Sequence, residues 1–208
     1  MTRYGPRFFL RGCRSARALA RAIAAAALVL RGVLPATGAE PIPARLAPCL
    51  ACHGEQGRSE NAGVPSLGGQ PEFYLTVQLL LFRDKLRVVE LMNAVMQGFS
   101  NDDLRAMAAS LAKLPPPPPA GGNADAARME AGRTLAEQNR CNFCHTGNYH
   151  GERNVPRLAG QREDYLVKAL REYKSNSRRG YDASMADVLY QVSDEQILDL
   201  AYFLARRP

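Results

Sequence analysis

Two short stretches of this 208-residue chain set thiols and an imidazole at a chemically useful spacing: Cys49-Leu50-Ala51-Cys52-His53 and Cys141-Asn142-Phe143-Cys144-His145. Disulfides, zinc or covalent haem could each use two such pairs. A zinc ribbon separates its pairs by roughly 15–20 residues, whereas 88 residues lie between Cys52 and Cys141. Zinc also needs no histidine directly after each pair. Thioredoxin-type redox chemistry expects a βαβ context, and the apolar periodicity here is helical. Neither chemistry accounts for His53 and His145. In Cys-x-x-Cys-His the two thiols add to the vinyl groups of haem and the short helical spacing sets the following imidazole under the iron. Two such motifs imply two covalently attached haem c groups, on Cys49, Cys52, Cys141 and Cys144, with His53 and His145 as proximal iron ligands.

An iron with only a proximal histidine is open to gases or peroxide, so the sixth ligand separates a carrier from an enzyme. Met92 and Met185 are the candidates: they lie 39 and 40 residues after their histidines, each eight residues before a serine, Ser100 and Ser193. The ordinary use of a methionine is core packing, and Met107 and Met129 are assigned to it. Met96 competes with Met92 for the first iron, but its counterpart in the second half is Leu189, so Met92 is preferred. Pro65 and Pro156 follow the histidines by 12 and 11 residues. Their carbonyls could accept a hydrogen bond from the imidazole Nδ1–H and fix the ring, the alternative being plain turn prolines. Tyr74 and Tyr165 could donate to a haem propionate or be half-buried aromatics with satisfied hydroxyls. His150 reads as a loop residue.

The elements that must position these groups come as a tandem repeat. Val64-Pro65-Ser66-Leu67-Gly68-Gly69-Gln70, then Tyr74, recurs 91 positions later as Val155-Pro156-Arg157-Leu158-Ala159-Gly160-Gln161, then Tyr165. The block 92–111 recurs as 185–204. Between the halves, five prolines (Pro115 to Pro119) followed by Ala120-Gly121-Gly122 favour polyproline II over roughly 15 Å and mark a domain boundary. Periodicity predicts helices throughout. Phe73, Val77, Leu80 and Leu81 make one apolar stripe, with Leu166, Ala169, Leu170 and Tyr173 as its equivalent. Each half should end in an amphipathic helix. Ser193 with Gln196 opens one as a capping box and Ser100 with Asp103 opens the other as a weaker version. Their buried faces are Leu104, Met107, Ala108 and Leu111, and Ile197, Leu200, Ala201 and Leu204. A further helix is expected over 124–138, with Met129 and Leu135 inward. Pro41, Pro43 and Pro48 leave little room for its equivalent in the first half.

The formal charge of +7 misleads. Seven arginines and no acidic residue fall in residues 1–39, leaving 20 basic against 20 acidic groups, which removes the support for a nucleic-acid partner. That basic segment runs into a nine-residue apolar run (Ala22 to Leu30), too short to span a bilayer, and then into small residues ending at Ala39. This is the pattern of a secretory signal peptide, 1–39, which removes Cys13 with it. The mature chain then divides into domains 40–114 and 124–208 around a linker, 115–123. Each is a size at which an apolar core is marginal without a staple, and a haem tied at two points supplies one. Arg83, Lys85 and Arg87, with rough counterparts Lys174, Arg178 and Arg179, are the basic residues that could pair with propionates or orient a redox partner.

These motifs resemble the dihaem class I c-type cytochromes of the cytochrome c4 type. The markers are the two Cys-x-x-Cys-His sites, the Pro-x-Leu-(Gly/Ala)-Gly-Gln stretches at 65–70 and 156–161, and the Met-x7-Ser steps at 92–100 and 185–193. The similarity covers nearly all of 44–208. It implies an all-α chain of two tandem cytochrome c domains in pseudo-twofold arrangement, with His/Met-ligated haems close together across the interface. It also implies a periplasmic electron carrier, not an enzyme, working between a dehydrogenase or quinol-oxidising complex and a terminal oxidase. Peripheral membrane association stays open. The rival readings are an electron-accepting subunit of a flavocytochrome-type oxidoreductase and, less favoured, a dihaem peroxidase.

Overall fold

A computed structural model describes residue 1 and residues 46–178 and 183–208. The expected signal peptide with Cys13, the prolines at 41 and 43, and Arg179 lie outside the described residues. The described residues 46–178 and 183–208 belong to one compact unit. Its described helices are α1 (Ala47–His53), α2 (Glu72–Arg83), α3 (Glu90–Val95), α4 (Asn101–Ala112), α5 (Ala126–Gln138), α6 (Cys141–His145), α7 (Glu163–Lys174), α8 (Ser184–Leu189) and α9 (Asp194–Ala205). Among the described residues the only extended pairing is one isolated bridge, Glu152 with Val155.

Each half has its own core. The first gathers Leu75, Leu79, Phe82, Met96, Leu104 and Leu111, the second Leu135, Leu166, Leu170, Ile197, Leu200 and Leu204. In the first, α2 packs on α4; in the second, α9 takes α7 on one side and α5 on the other. The faces expected of α4 and α9 are the faces buried. Both helices open with full capping boxes: the Ser100 and Ser193 hydroxyls each accept from the N–H three residues on at 3.2 Å, so the Asp103 version is as complete as the Gln196 one.

The stripe expected on α2 is corrected. Its buried residues are Leu75, Leu79 and Phe82, while Phe73 is 55% exposed. The sequence Phe-Tyr-Leu-Thr-Val-Gln-Leu-Leu-Leu-Phe is apolar on nearly every side, so periodicity does not choose a face; packing against α4 does. On α7, charges interrupt the apolar positions and the expected Leu166, Ala169 and Leu170 are buried.

Candidate haem sites

The site begins with loops that fold the same way twice. After α1 the chain leaves through Gly54 at φ 85°, and after α6 through Thr146 at φ 68°. It then doubles back. Leu67 N–H donates to Gly57 O at 2.7 Å in the first half, and Leu158 N–H to Tyr149 O at 2.8 Å in the second. This return brings Pro65 and Pro156 to the histidines. His53 Nδ1 lies 2.8 Å from Pro65 O, and His145 Nδ1 lies 2.9 Å from Pro156 O. A carbonyl only accepts, so each Nδ1 carries the proton and each Nε2 the lone pair a metal would use. Burial lowers both imidazole pKa values, outweighing the opposing effect of the proline carbonyls, and favours the neutral, ligating form. The prolines expected to orient the rings are therefore in contact with them.

The thiols occupy equivalent places. Cys49 and Cys141 are half-buried and Cys52 and Cys144 exposed, and none of the four is in a disulfide. Burial raises the Cys49 thiol and pushes Cys141 up to about 11. In the second half Cys141, Cys144, His145 and Met185 line one cavity, whose other walls combine apolar residues such as Leu158, Leu170 and Val188 with polar ones that include Asn139, Arg140 and Asn154. This is a fit for haem: two thiols for its edge, an imidazole and a thioether for iron, and apolar side chains for the macrocycle. In the first half Cys49 and Met92 both lie half-buried against the first core.

Met92 and Met96 separate by environment. Met96 is 1% exposed, at the centre of the first core, and its counterpart Leu189 is buried at 3% in the second. Met92, like Met185, sits at the core's margin. Met107 is buried, Met129 packs beside the second core, and His150 sits in its loop hydrogen-bonded to the Pro208 carbonyl at 2.9 Å.

Sequence reasoning gave no role to the glutamine that ends each repeated stretch. Gln161 Oε1 accepts from Ser66 N–H at 2.8 Å and its Nε2 donates to Ser66 O at 2.9 Å. Gln70 does the same with Arg157, at 3.0 and 2.9 Å. Ser66 and Arg157 are equivalent positions, so one contact is made twice, crosswise. The signal was available, because a polar side chain repeated in register between two halves points to a surface they share.

Residues 129–207 match the cytochrome c family. An electron acceptor of thiosulfate dehydrogenase from Thiomonas intermedia is 33% identical, over 80% of this chain and 81% of its own. Cytochrome c4 of Azotobacter vinelandii is 30% identical, over 77% and 84% respectively. The chain belongs to the cytochrome c4 family. The crystal structure of reduced cytochrome c4 from Pseudomonas stutzeri superposes with a TM-score of 0.71 at 27% identity, covering 79% of this chain and 95% of that one. Membership of the cytochrome c4 family makes this a two-domain, all-α, dihaem electron-transfer protein with covalently bound haem c.

Proposed function

We propose that Cys49 and Cys52 attach the first haem and Cys141 and Cys144 the second, that His53 and Met92 ligate one iron and His145 and Met185 the other, and that the protein is a carrier with no catalytic residue. The observation that carries this is the convergence of Cys141, Cys144, His145 and Met185 on one cavity, with the imidazole held at 2.9 Å by Pro156 O. Bound haem supplies reversible one-electron chemistry at iron, at a potential that methionine ligation and burial raise. The protein's part is to fix the imidazole tautomer, present the thioether and keep water from the apolar walls. With an imidazole and a thioether assigned to each iron, neither would offer a coordination position to a substrate, which argues against the peroxidase reading.

Residues 1–39 are proposed as a cleaved export signal, with domains at 40–114 and 124–208 joined by 115–123, and the mature protein in the periplasm, where haem is attached to exported chains. Support comes from the charge pattern of the first 39 residues. N-terminal sequencing of the periplasmic protein should begin at Glu40. A mature chain that still starts in the basic segment would refute the signal reading.

The acceptor role named for the Thiomonas relative suggests the donor. We place this chain between a periplasmic dehydrogenase, of the thiosulfate-oxidising kind, and a terminal oxidase. Such encounters are transient and small. Native purification tests the alternative, a permanent electron-accepting subunit, which requires a catalytic chain to co-purify in equal amount. The ligand set is tested by haem content and the optical spectrum. Two haems per chain, both low-spin, with the methionine-to-iron charge-transfer band, are expected; a high-spin signature at one iron overturns the carrier reading.

A further inference from the structure

The segment that carries Met92 is held by a device that its counterpart in the second half lacks. After α2 the chain turns at Lys85 (φ 56°) and runs into α3. Most of this stretch faces water: Leu86, Val88 and Leu91 are 61, 77 and 65% exposed, and Asp84, Lys85, Glu90 and Ala94 are exposed as well. Within 84–95 only Val89 and Met92 set apolar surface against the first core, and both are half-buried. A segment with so little apolar burial opens at low free-energy cost unless polar bonds hold it.

Asn93, the residue after Met92, supplies those bonds. It is 7% exposed. Its Oδ1 accepts from Val89 N–H at 2.8 Å, and its Nδ2 donates to Phe82 O at 2.6 Å and to Arg87 O at 2.8 Å. Its backbone N–H donates to Val89 O at 2.8 Å. One buried amide, with two donors and an acceptor all used, thus joins the end of α2, the turn after it and the start of α3. Gln97 backs it, donating from Nε2 to Arg83 O at 3.0 Å and to Asn93 O at 3.1 Å. In the second half the equivalent positions hold Ala186, which has no amide, and Tyr190, which is 77% exposed. The tie that both halves make is a different one: Arg83 donates to Phe99 O, and Lys174 to Val192 O. The Arg87 side chain turns away, its Nη2 lying 3.4 Å from Tyr165 OH, which Arg178 reaches at 3.1 Å.

We propose that Asn93 is a positioning residue that keeps the Met92 thioether on the first iron and so keeps that site closed to outside ligands. The inference rests on the ligand reading above. For an added nitrogen ligand to take the sixth position, Met92 must swing out. Asn93 is its neighbour in the chain, so that movement draws the amide from its pocket and separates it from Phe82 O, Arg87 O and Val89 N–H. The lost bonds oppose the opening. The exchange itself replaces one neutral donor by another, the thioether leaving as the nitrogen enters, with no electron or proton transferred. Without Asn93 the first site should drift from carrier toward ligand-binding chemistry, because the sixth ligand separates the two.

The test titrates the oxidised dihaem holoprotein with imidazole at about pH 8, where imidazole is neutral. Displacement is followed by the methionine-to-iron charge-transfer band and by the hyperfine-shifted methionine methyl signals, the signal missing from Met92→Ala marking the first haem. In Asn93→Ala, imidazole should displace the first haem's methionine at about 10–100-fold lower concentration, the worth of one to two net hydrogen bonds, and the second haem's at the wild-type concentration. Met96→Ala empties the same core without touching these bonds; it should lower stability and leave both displacements as in the wild type. An unchanged first-haem displacement in Asn93→Ala, or an equal gain in Met96→Ala, makes Asn93 merely structural and overturns the inference. If Asn93→Ala does not load haem, hydrogen exchange of the wild-type holoprotein decides. Val89 N–H should be protected and should become labile when imidazole occupies the first iron; equal exchange in the two states refutes the clamp. Haem content, the wild-type charge-transfer band and the loss of one methionine signal in Met92→Ala, read first, distinguish failure of the ligand reading from failure of this one.

Discussion

At the scale of single residues, the proposed ligand of the first half, Met92, and its neighbour Met96 differ in burial. Met92 lies half-buried at the edge of the core and Met96 at its centre with 1% exposure. We expect Met92→Ala to abolish the charge-transfer band of one haem and create a high-spin, ligand-accessible iron with little change in unfolding midpoint. Met96→Ala should leave the spectrum intact and cost about 2–5 kcal/mol, the range for truncating a buried methionine, read by denaturant unfolding. Exchange of these two outcomes would reassign the first ligand. Both candidates were visible in the sequence, and the missing Met96 counterpart at Leu189 already favoured Met92. What the sequence could not supply was burial, which depends on what α2 and α4 bring over residue 96.

Among the elements, α5 and α9 cross at a glycine. A Cβ on Gly132 would lie 2.3 Å from Asp199 O and 2.5 Å from Phe203 Cβ. Alanine would gain up to about 1 kcal/mol in helix propensity, but backbone does not yield as a flexible side chain would, and overpacking costs about 1–3 kcal/mol. Gly132→Ala should therefore destabilise the second half, seen as a lower melting temperature by circular dichroism. Caps and the α4 and α9 faces were legible because Ser-x-x-Asp and Ser-x-x-Gln are local signals and charges mark the outer sides. The α2 face was illegible because ten successive residues, two of them polar, offer nearly equal apolar surfaces.

For the whole molecule, the question is what joins the halves. Gln70 and Gln161 are 6% and 4% exposed and each satisfies a buried backbone N–H and C=O of the other half. Gln161→Ala should cost about 1–3 kcal/mol by leaving the Ser66 groups unpaired, measured as a shift in denaturant midpoint with both haem spectra unchanged. Asp164 adds a pH-dependent tie, since its carboxylate accepts from Gly63 N–H of the first half at 2.8 Å. Burial works to raise its pKa, but hydrogen bonds from Arg162 and from Gly63 N–H outweigh it and hold the group below the usual range. A depressed folded pKa stabilises above the unfolded value of about 3.9, and that contribution is lost as pH falls through the folded pKa. Acid unfolding of Asp164→Asn should show a weaker pH dependence below about pH 4 than the wild type; an identical profile would remove Asp164 from the interface account. The proline linker is packed, not free: Pro117 is buried, and Gly68, Gly69 and Gly160 leave room for Pro115, Pro116 and Pro117. Folding should also depend on haem. An apoprotein that stays compact and helical by circular dichroism would contradict the staple argument drawn from domain size.

The amino-acid sequence by itself determined the chemistry and its duplication. Thiol, imidazole and thioether are named by residue type, the Cys-x-x-Cys-His spacing is local, and a repeat in register is visible without coordinates. Only the tertiary structure decided which apolar side of α2 is core, that Gln70 and Gln161 clasp across the halves, and that Arg87 and Arg178 meet at one phenol. The face of α2 is set by α4 farther along the chain, and the contacts between the halves join residues 78 to 95 positions apart; a buried charge is costly or useful according to the groups folding brings beside it.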